Sequence, residues 1–354
     1  MSDSPAAAGF HMPAEWVPQE AIWLSWPLKA GAWPGCRDAA ERAYAEFAAT
    51  ISRFETVRIN CVRTAQERAA EALLRADARL DRIAWFDHPT NDTWCRDHGP
   101  VFVQHRNTGE VAITDWTFNA WGGKFPAWDL DNAIPARIAA ALGLRRFVIP
   151  MVGEGGGLEV NGAGVLLVTE SVLLNPNRNP NLSKAQVEVI LRAALGVEAI
   201  CWLASGLEWD DTDGHIDTLT RFVDPATVVT VVSRDPNGPN QAALERNRAA
   251  LARFRLPDGR RLEIVPLPLP DAIRPAGWRL EVLPATYANF LILNGAVLVP
   301  TYRQPVHDRE ALRLLAQCFP DRQVIGIDCR DLVLEGGALH CLSQQQPATT
   351  QRQT

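Results

Sequence analysis

Apolar residues recur along the chain with two spacings. Short apolar or alternating runs at 21–26, 56–62, 101–104, 111–118, 164–169, 227–232, 290–293, 296–299 and 324–327 predict β-strands. Residues 37–53, 130–142, 183–195, 241–254 and 307–318 instead space their apolar side chains by three and four, which predicts amphipathic helices, with Ser183 as the N-cap of its helix. The runs at 101–104 and 111–118 are joined through Asn107, Thr108 and Gly109, a turn that predicts a hairpin. Strands in twos and threes separated by helices predict an α/β fold built from repeated mixed units. One echo supports repetition: GEGGGLEVNG from Gly153 and LEGGALHCLS from Leu334 share EGGxL, although glycine-rich turns alone account for such a match.

Composition narrows the picture. No linker, charge block or low-complexity stretch interrupts the chain, so a single domain is expected over 1–354, with a loose leader at 1–11 and a polar tail at 348–354. The formal charge of −6 speaks against a general nucleic-acid or membrane-surface binder and suits a small cationic substrate. No apolar run approaches the roughly 20 residues needed to cross a bilayer, and the first residues lack a secretory pattern. The seven cysteines form no CxxC pair and no disulfide framework, which reads as reduced thiols in the cytoplasm.

Three stretches carry candidate chemistry. NDTWCRDHGP, from Asn91, sets Asp97 beside Arg96: either a structural ion pair, or a carboxylate kept ionised to grip a cation. DDTDGHIDTL, from Asp210, surrounds His215 with aspartates. Read as a strand, it turns His215 and Asp217 to one face. Zinc spacing and the EF-hand ligand order are both absent there, and the stretch reads either as a metal-like cluster, with calcium allowed in principle, or as a solvated acidic turn. Cys341 is either a small buried hydrophobe or a thiolate nucleophile whose acid/base partner comes from elsewhere in the fold.

Taken in order, MPAEWVPQEAIWLSWP, NDTWCRDHGP, WTFNAWGGKF, the EGG motif, LLNPNRNP, DDTDGHIDTLTRFVD, NFLILNGAVLVPTY and HCLSQQQP resemble the agmatine deiminase family over nearly the whole chain. That family lies in the guanidino-group modifying superfamily, among the Porphyromonas-type peptidylarginine deiminases. The resemblance implies a five-bladed α/β propeller of ββαβ units around a central channel. It implies Cys341 as nucleophile, His215 as general acid/base, Asp97 and Asp217 as the carboxylates that hold the guanidinium, and Glu154 as the carboxylate that orients the histidine. Asp211 sits where the far end of the substrate is expected, and Trp94 and Trp121 are candidate aromatic surface, or else propeller core. Trp26 and Trp116 are assigned to packing, and Lys124 to solvent rather than to a cover over the site. Cys95, Glu159 and Asn161 depart from the family pattern, which leaves details of the pocket open.

The implied reaction is hydrolytic deimination of agmatine to N-carbamoylputrescine and ammonia through a thiouronium on Cys341, in polyamine metabolism, with no metal or organic cofactor. A deiminase of free or peptidyl arginine and a non-catalytic propeller are the alternatives. A homodimer is expected only because it is the commonest closed assembly.

Overall fold

The computed structural model describes residues 4–349. Its strands form five separate sheets of three or four strands each. Every sheet follows one rule: an antiparallel pair, then a helix, then a strand parallel to the second. Val101–His105, Val111–Thr117 and Arg146–Val152 form one such unit, with Ile134–Leu142 as its helix. Glu159–Val160, Val165–Thr169 and Ala199–Leu203 form the next around Lys184–Leu195. Thr220–Phe222, Thr227–Val232 and Glu263–Pro268 follow around Gln241–Arg253. Leu291–Leu293, Ala296–Thr301 and Gln323–Asp328 close the series around Pro305–Cys318.

The fifth unit joins the two ends of the chain. Ser343–Pro347 pairs antiparallel with Gln19–Ser25, which continues in parallel into Thr56–Asn60 and Ile83–Phe86. Five such units agree with the repeated mixed units that the alternation predicts and are consistent with the five-bladed α/β propeller that the resemblance implies. Closing the last blade with a C-terminal strand also fixes Cys341, two residues upstream of that strand, beside the beginning of the chain.

Local sequence explains the elements. Ser183 and Gln186 form a capping box, and Gly196 ends that helix in the left-handed region at φ 64°. The hairpin predicted through Asn107 to Gly109 closes with Gln104 opposite Val111. The helix expected over 130–142 is instead two, Asp129–Asn132 and Ile134–Leu142, because Pro135 starts a new first turn more readily than it sits inside a helix. A helix that periodicity did not predict, Arg63–Arg75, buries only Ala69 and Leu73, a stripe too thin to stand out in the sequence.

Within the expected loose leader, residues 4–11, the part the structure describes, are ordered against the fold. Phe10–His11 adds a short strand against Val101–His105, and the Phe10 ring packs edge-on against Phe147 at 5.5 Å. At the other end, the Ala348 amide donates to the Pro18 carbonyl at 2.9 Å. Residues 350–354 of the expected tail lie outside the described residues. Among the described residues, no helix is long and apolar enough to cross a membrane.

Candidate active site

Loops between the blades converge on one cleft of about 440 Å³, including its open mouth. Cys341 lies in its wall with Trp94, Asp97, Trp121 and Asp211. His215, Asp217 and Glu154 sit behind that wall with side chains almost wholly buried. All eight sequence-predicted residues therefore meet at one place.

Asp97 belongs to the short helix Cys95–His98. Its Oδ2 accepts from the Trp121 indole at 2.9 Å and its Oδ1 from the Gly156 amide at 3.0 Å. Arg96 does not steer it: that side chain turns away to the His340 carbonyl at 3.2 Å and to Gln345 at 2.5 Å, while the Arg96 amide donates to the Cys341 carbonyl at 3.1 Å. The expected Arg96–Asp97 ion pair is therefore not formed, while the reading of Asp97 as a cation-gripping carboxylate does not depend on Arg96. Arg96 ties the Asp97 segment to the Cys341 segment.

His215 is not on a strand. It precedes the 3₁₀ turn Ile216–Thr218, where its amide donates to Thr212 Oγ1 at 3.0 Å. The segment is too tightly turned for alternation to apply, yet it delivers His215 and Asp217 to the same site. His215 Nδ1 lies 3.5 Å from Asp97 Oδ1, and Nε2 lies 3.8 Å from Glu154 Oε2. Both separations exceed ordinary hydrogen bonds, so the ring stands between two carboxylates without being tied to either. Burial opposes its charge, but Asp97 and then Glu154 raise its pKa to about 9.

The EGG motif allows this packing. A Cβ on Gly156 would meet His215 Nδ1 at 2.6 Å, Asp97 Oδ1 at 2.8 Å and Asp217 Oδ2 at 3.1 Å, so no side chain fits there. In the LEGG echo, a Cβ on Gly337 would meet the Trp94 ring at 2.4 Å and Cys341 Cβ at 3.0 Å. The glycines before the cysteine thus make room for Trp94 and for the cysteine itself.

Cys341 Sγ lies 3.8 Å from Asp217 Oδ2 and accepts from Asn289 Nδ2 at 3.1 Å. Burial, then Asp217 and Asp97, push the thiol well above its ordinary value. Burial also raises Asp97 despite the attraction of His215. In Asp217 and Glu154 burial loses. His340 holds Asp217 below the ordinary carboxylate range, and His215 with Arg178 does the same for Glu154. The site is therefore an acidic pocket around a neutral thiol, arranged to receive a cation.

At the mouth, Asp211 Oδ2 lies 2.5 Å from Arg279 Nη1, and Asp92 pairs with Lys29 at 2.5 Å. Phe125 lies between these cations, 5.3 Å from the Arg279 guanidinium and 5.7 Å from the Lys29 ammonium. Lys124 is exposed, as expected, and its ammonium also pairs with Asp213 at 2.7 Å and donates to the Asp211 carbonyl at 2.7 Å. Trp121 and the preceding Ala120 both have positive φ, 56° and 52°, in a loop whose strain presents the indole to Asp97. Trp121 is thus part of the site rather than only core.

Four further residues hold the site and carried no role in the sequence reading. Arg178 donates through Nε to Glu154 at 2.7 Å, and Asn289 holds the Cys341 sulfur. His340 and Glu15 stand behind Asp217. Each lies in a stretch that supports the resemblance, LLNPNRNP, NFLILNG, HCLSQQQP and MPAEW, and that position was their only signal. Glu159 and Asn161, the departures from the family pattern, lie away from the cleft. Glu159 binds Arg221 and the Phe222 amide, and Asn161 caps the turn that leads to Val165. Cys95 is buried outside the cleft wall.

The Porphyromonas-type peptidyl-arginine deiminase family matches residues 11–347. The agmatine deiminase of Medicago truncatula is 38% identical, covering 98% of this chain and 99% of its own length. Among solved structures, the agmatine deiminase of Enterococcus faecalis superposes with a TM-score of 0.91 at 31% identity, covering 98% of each chain. The C. jejuni agmatine deiminase with a cysteine-to-serine change and substrate bound gives a TM-score of 0.86 at 30% identity, over 96% of this chain and 97% of that one.

Proposed function

This chain belongs to the Porphyromonas-type peptidyl-arginine deiminase family, and from that premise we propose that it hydrolyses agmatine to N-carbamoylputrescine and ammonia. The observation that carries this reading is the placement of Cys341 Sγ 3.8 Å from Asp217 Oδ2, in a cleft that Asp97 also lines. Two carboxylates about a sulfur repel a thiolate, so the site suits a substrate that brings its own positive charge.

Asp97 and Asp217 hold the planar guanidinium with its central carbon facing the sulfur. As the cation arrives it offsets the carboxylates; the Cys341 S–H bond breaks and its proton passes to water at the open cleft. The thiolate that burial and those same groups disfavour is thereby stabilised until that proton is regained after the product leaves. The thiolate attacks the carbon, the C–S bond forms, and the C=N electron pair moves onto nitrogen. His215 carries a proton at neutral pH and gives it to the departing nitrogen, and ammonia leaves with the C–N bond electrons. A cationic thiouronium remains on Cys341.

Neutral His215 then takes a proton from water as its oxygen attacks the same carbon. Collapse breaks the C–S bond, returns the thiolate and forms the ureido carbonyl. The hydroxyl proton is released, and ammonia takes up one proton in solution. Glu154 balances the imidazolium at both stages, and Arg178 keeps Glu154 charged and in place. No step calls for a cofactor.

Asp211, Trp94 and Trp121 bind the remainder of agmatine, with Asp211 toward its amine. One deiminase domain accounts for the chain from its first strand to Pro347. Seven unpaired cysteines suit a reducing cytoplasm, and a homodimer is the proposed assembly.

The test is direct. Purified protein is incubated separately with agmatine, arginine and an arginine-containing peptide, and the ureido product and ammonia are assayed. Turnover of agmatine that disappears in Cys341→Ser is expected. Absence of agmatine turnover, or unchanged turnover in that variant, sinks the reading.

A further inference from the structure

Behind Asp217, on the side away from the cleft, the His340 imidazole stands between two carboxylates. Its Nδ1 lies 2.7 Å from Asp217 Oδ2 and its Nε2 lies 2.8 Å from Glu15 Oε2, with the side chain 2% exposed. A neutral imidazole has one N–H and one lone pair. Two contacts of hydrogen-bond length to two ionised carboxylates therefore need one more proton than a neutral ring supplies.

The surrounding contacts limit where that proton can reside. Glu15 accepts the Ile292 amide on Oε1 at 2.7 Å and Arg221 on Oε2 at 2.7 Å, so both its oxygens act as acceptors. Glu159 likewise accepts the Phe222 amide and Arg221 Nε, each at 2.8 Å. Glu15, Glu159, Asp217, Arg221 and Arg96 are all buried here, Asp217 is also acted on by His215 and Arg96 by Asp97, and the cluster must place the proton that the two short contacts require. The contact left to hold it is the one between His340 and Asp217.

We propose that His340 is a positioning residue of the deiminase site, sharing with Asp217 one buried proton that sets the charge of the substrate clamp. The proposal rests on the deiminase reading above. Burial, then Arg221 and Arg96, lower the pKa of the ring, and Glu15 and Asp217 oppose this without reversing it, so the short contact to Asp217 and not the ring alone holds the proton. What faces Asp217 from the cleft then decides the balance. A guanidinium drives the proton to Nδ1 and leaves Asp217 a carboxylate. Once the substrate carbon is neutral that pull is lost, the proton shifts along the 2.7 Å Nδ1–Oδ2 contact toward the oxygen without leaving the ring, and the clamp loosens its hold on the ureido product.

The test is proton NMR on the 15N-histidine-labelled full chain, with His340 assigned by its loss in His340→Asn. In the free protein, a slowly exchanging, far-downfield ring proton is expected at Nδ1. In Cys341→Ser protein with agmatine, both ring nitrogens should carry protons above pH 7. A rapidly exchanging proton in the free protein, or a neutral ring in the agmatine complex, overturns the proposal.

Kinetics give a second readout. His340→Asn can still donate to Asp217 but has no proton to give up. It should lower kcat/KM on the order of tenfold or more and shift its pH profile by about a unit. Glu15→Gln, which keeps the shape of that acceptor, should shift the profile in the same direction. Unshifted profiles in both variants overturn the proposal. A downfield proton in a wild-type protein that does not turn over agmatine would support the bridge and overturn the substrate instead.

Discussion

The Trp121 indole donates to Asp97 Oδ2 at 2.9 Å, so one side chain both walls the cleft and fixes the Asp97 carboxylate. Asp97 is a carboxyl that burial already raises, and this hydrogen bond works to keep it charged. Trp121→Phe retains most of the aromatic wall and removes the donor. A hydrogen bond to a charged group is worth about 1.5–3 kcal/mol, so kcat/KM for agmatine should fall roughly 10- to 100-fold. Steady-state kinetics check this, with near-ultraviolet circular dichroism confirming the fold. Unchanged kinetics would leave the indole as packing.

Gly156 should tolerate no side chain. Its added Cβ would collide with His215 and Asp97, at 2.6 and 2.8 Å, and these are packed groups rather than the free ends of flexible chains. Gly156→Ala should fold with a lowered Tm and lose at least about a hundredfold in kcat, since small displacements of positioned groups carry costs of that order. Full activity in that variant would show that His215 and Asp97 can separate without consequence.

How far this site could be read in the sequence depended on the range of each interaction. Ser183, the hairpin at Asn107 to Gly109 and the strand-helix alternation announce themselves within a few residues, because caps, turns and amphipathic faces are local physics. The strand assigned to Asp210 through Leu219 failed because alternation cannot tell a short strand from a 3₁₀ turn that is equally polar. Arg96 could not be placed, since its partners Gln345 and the His340 carbonyl lie at the other end of the chain. Glu15, whose carboxylate reaches His340, is equally distant in sequence. Such pairs exist only after the terminal blade closes, and neither spacing nor composition encodes them.

The Cys341 thiol should be slow to alkylate in the free protein. Burial, Asp217 and Asp97 hold it above its ordinary value of 9.0, so reaction with iodoacetamide should still be rising at pH 9. Peptide mass spectrometry separates Cys341 from the half-buried Cys36 and Cys318. Asn289→Asp replaces the donor 3.1 Å from the sulfur with another carboxylate and should slow the reaction further. A rate that levels off near neutral pH would show a resting thiolate and contradict the need for a cationic substrate.

His215 makes a signed prediction for stability. Its folded pKa of about 9 lies above the ordinary 6.5. The charged ring's interaction with Asp97 and Glu154 therefore contributes fully below about 6.5 and is lost as pH rises through about 9. Wild type should exceed His215→Asn in Tm by the widest margin near pH 6, with the gap closing above pH 9. A gap that widens with pH would mean that the folded protein keeps this imidazole neutral.

The mouth of the cleft should set KM rather than kcat. Asp211 is already paired with Arg279 at 2.5 Å, and Arg279 also lies 3.9 Å from Glu335. If Asp211 receives the far-end amine as proposed, that amine competes with the Arg279 guanidinium for the same carboxylate. Asp211→Asn should therefore raise KM for agmatine by about tenfold with little change in kcat, the mark of an interaction equally present in ground and transition states. Arg279→Ala frees the carboxylate and should move KM the other way. If the two residues act only through each other, the double variant will resemble Asp211→Asn, because removing Arg279 matters only while Asp211 carries a charge to release. Additive effects would place the amine elsewhere, and a fall in kcat for Asp211→Asn would connect the mouth to the chemistry at Cys341.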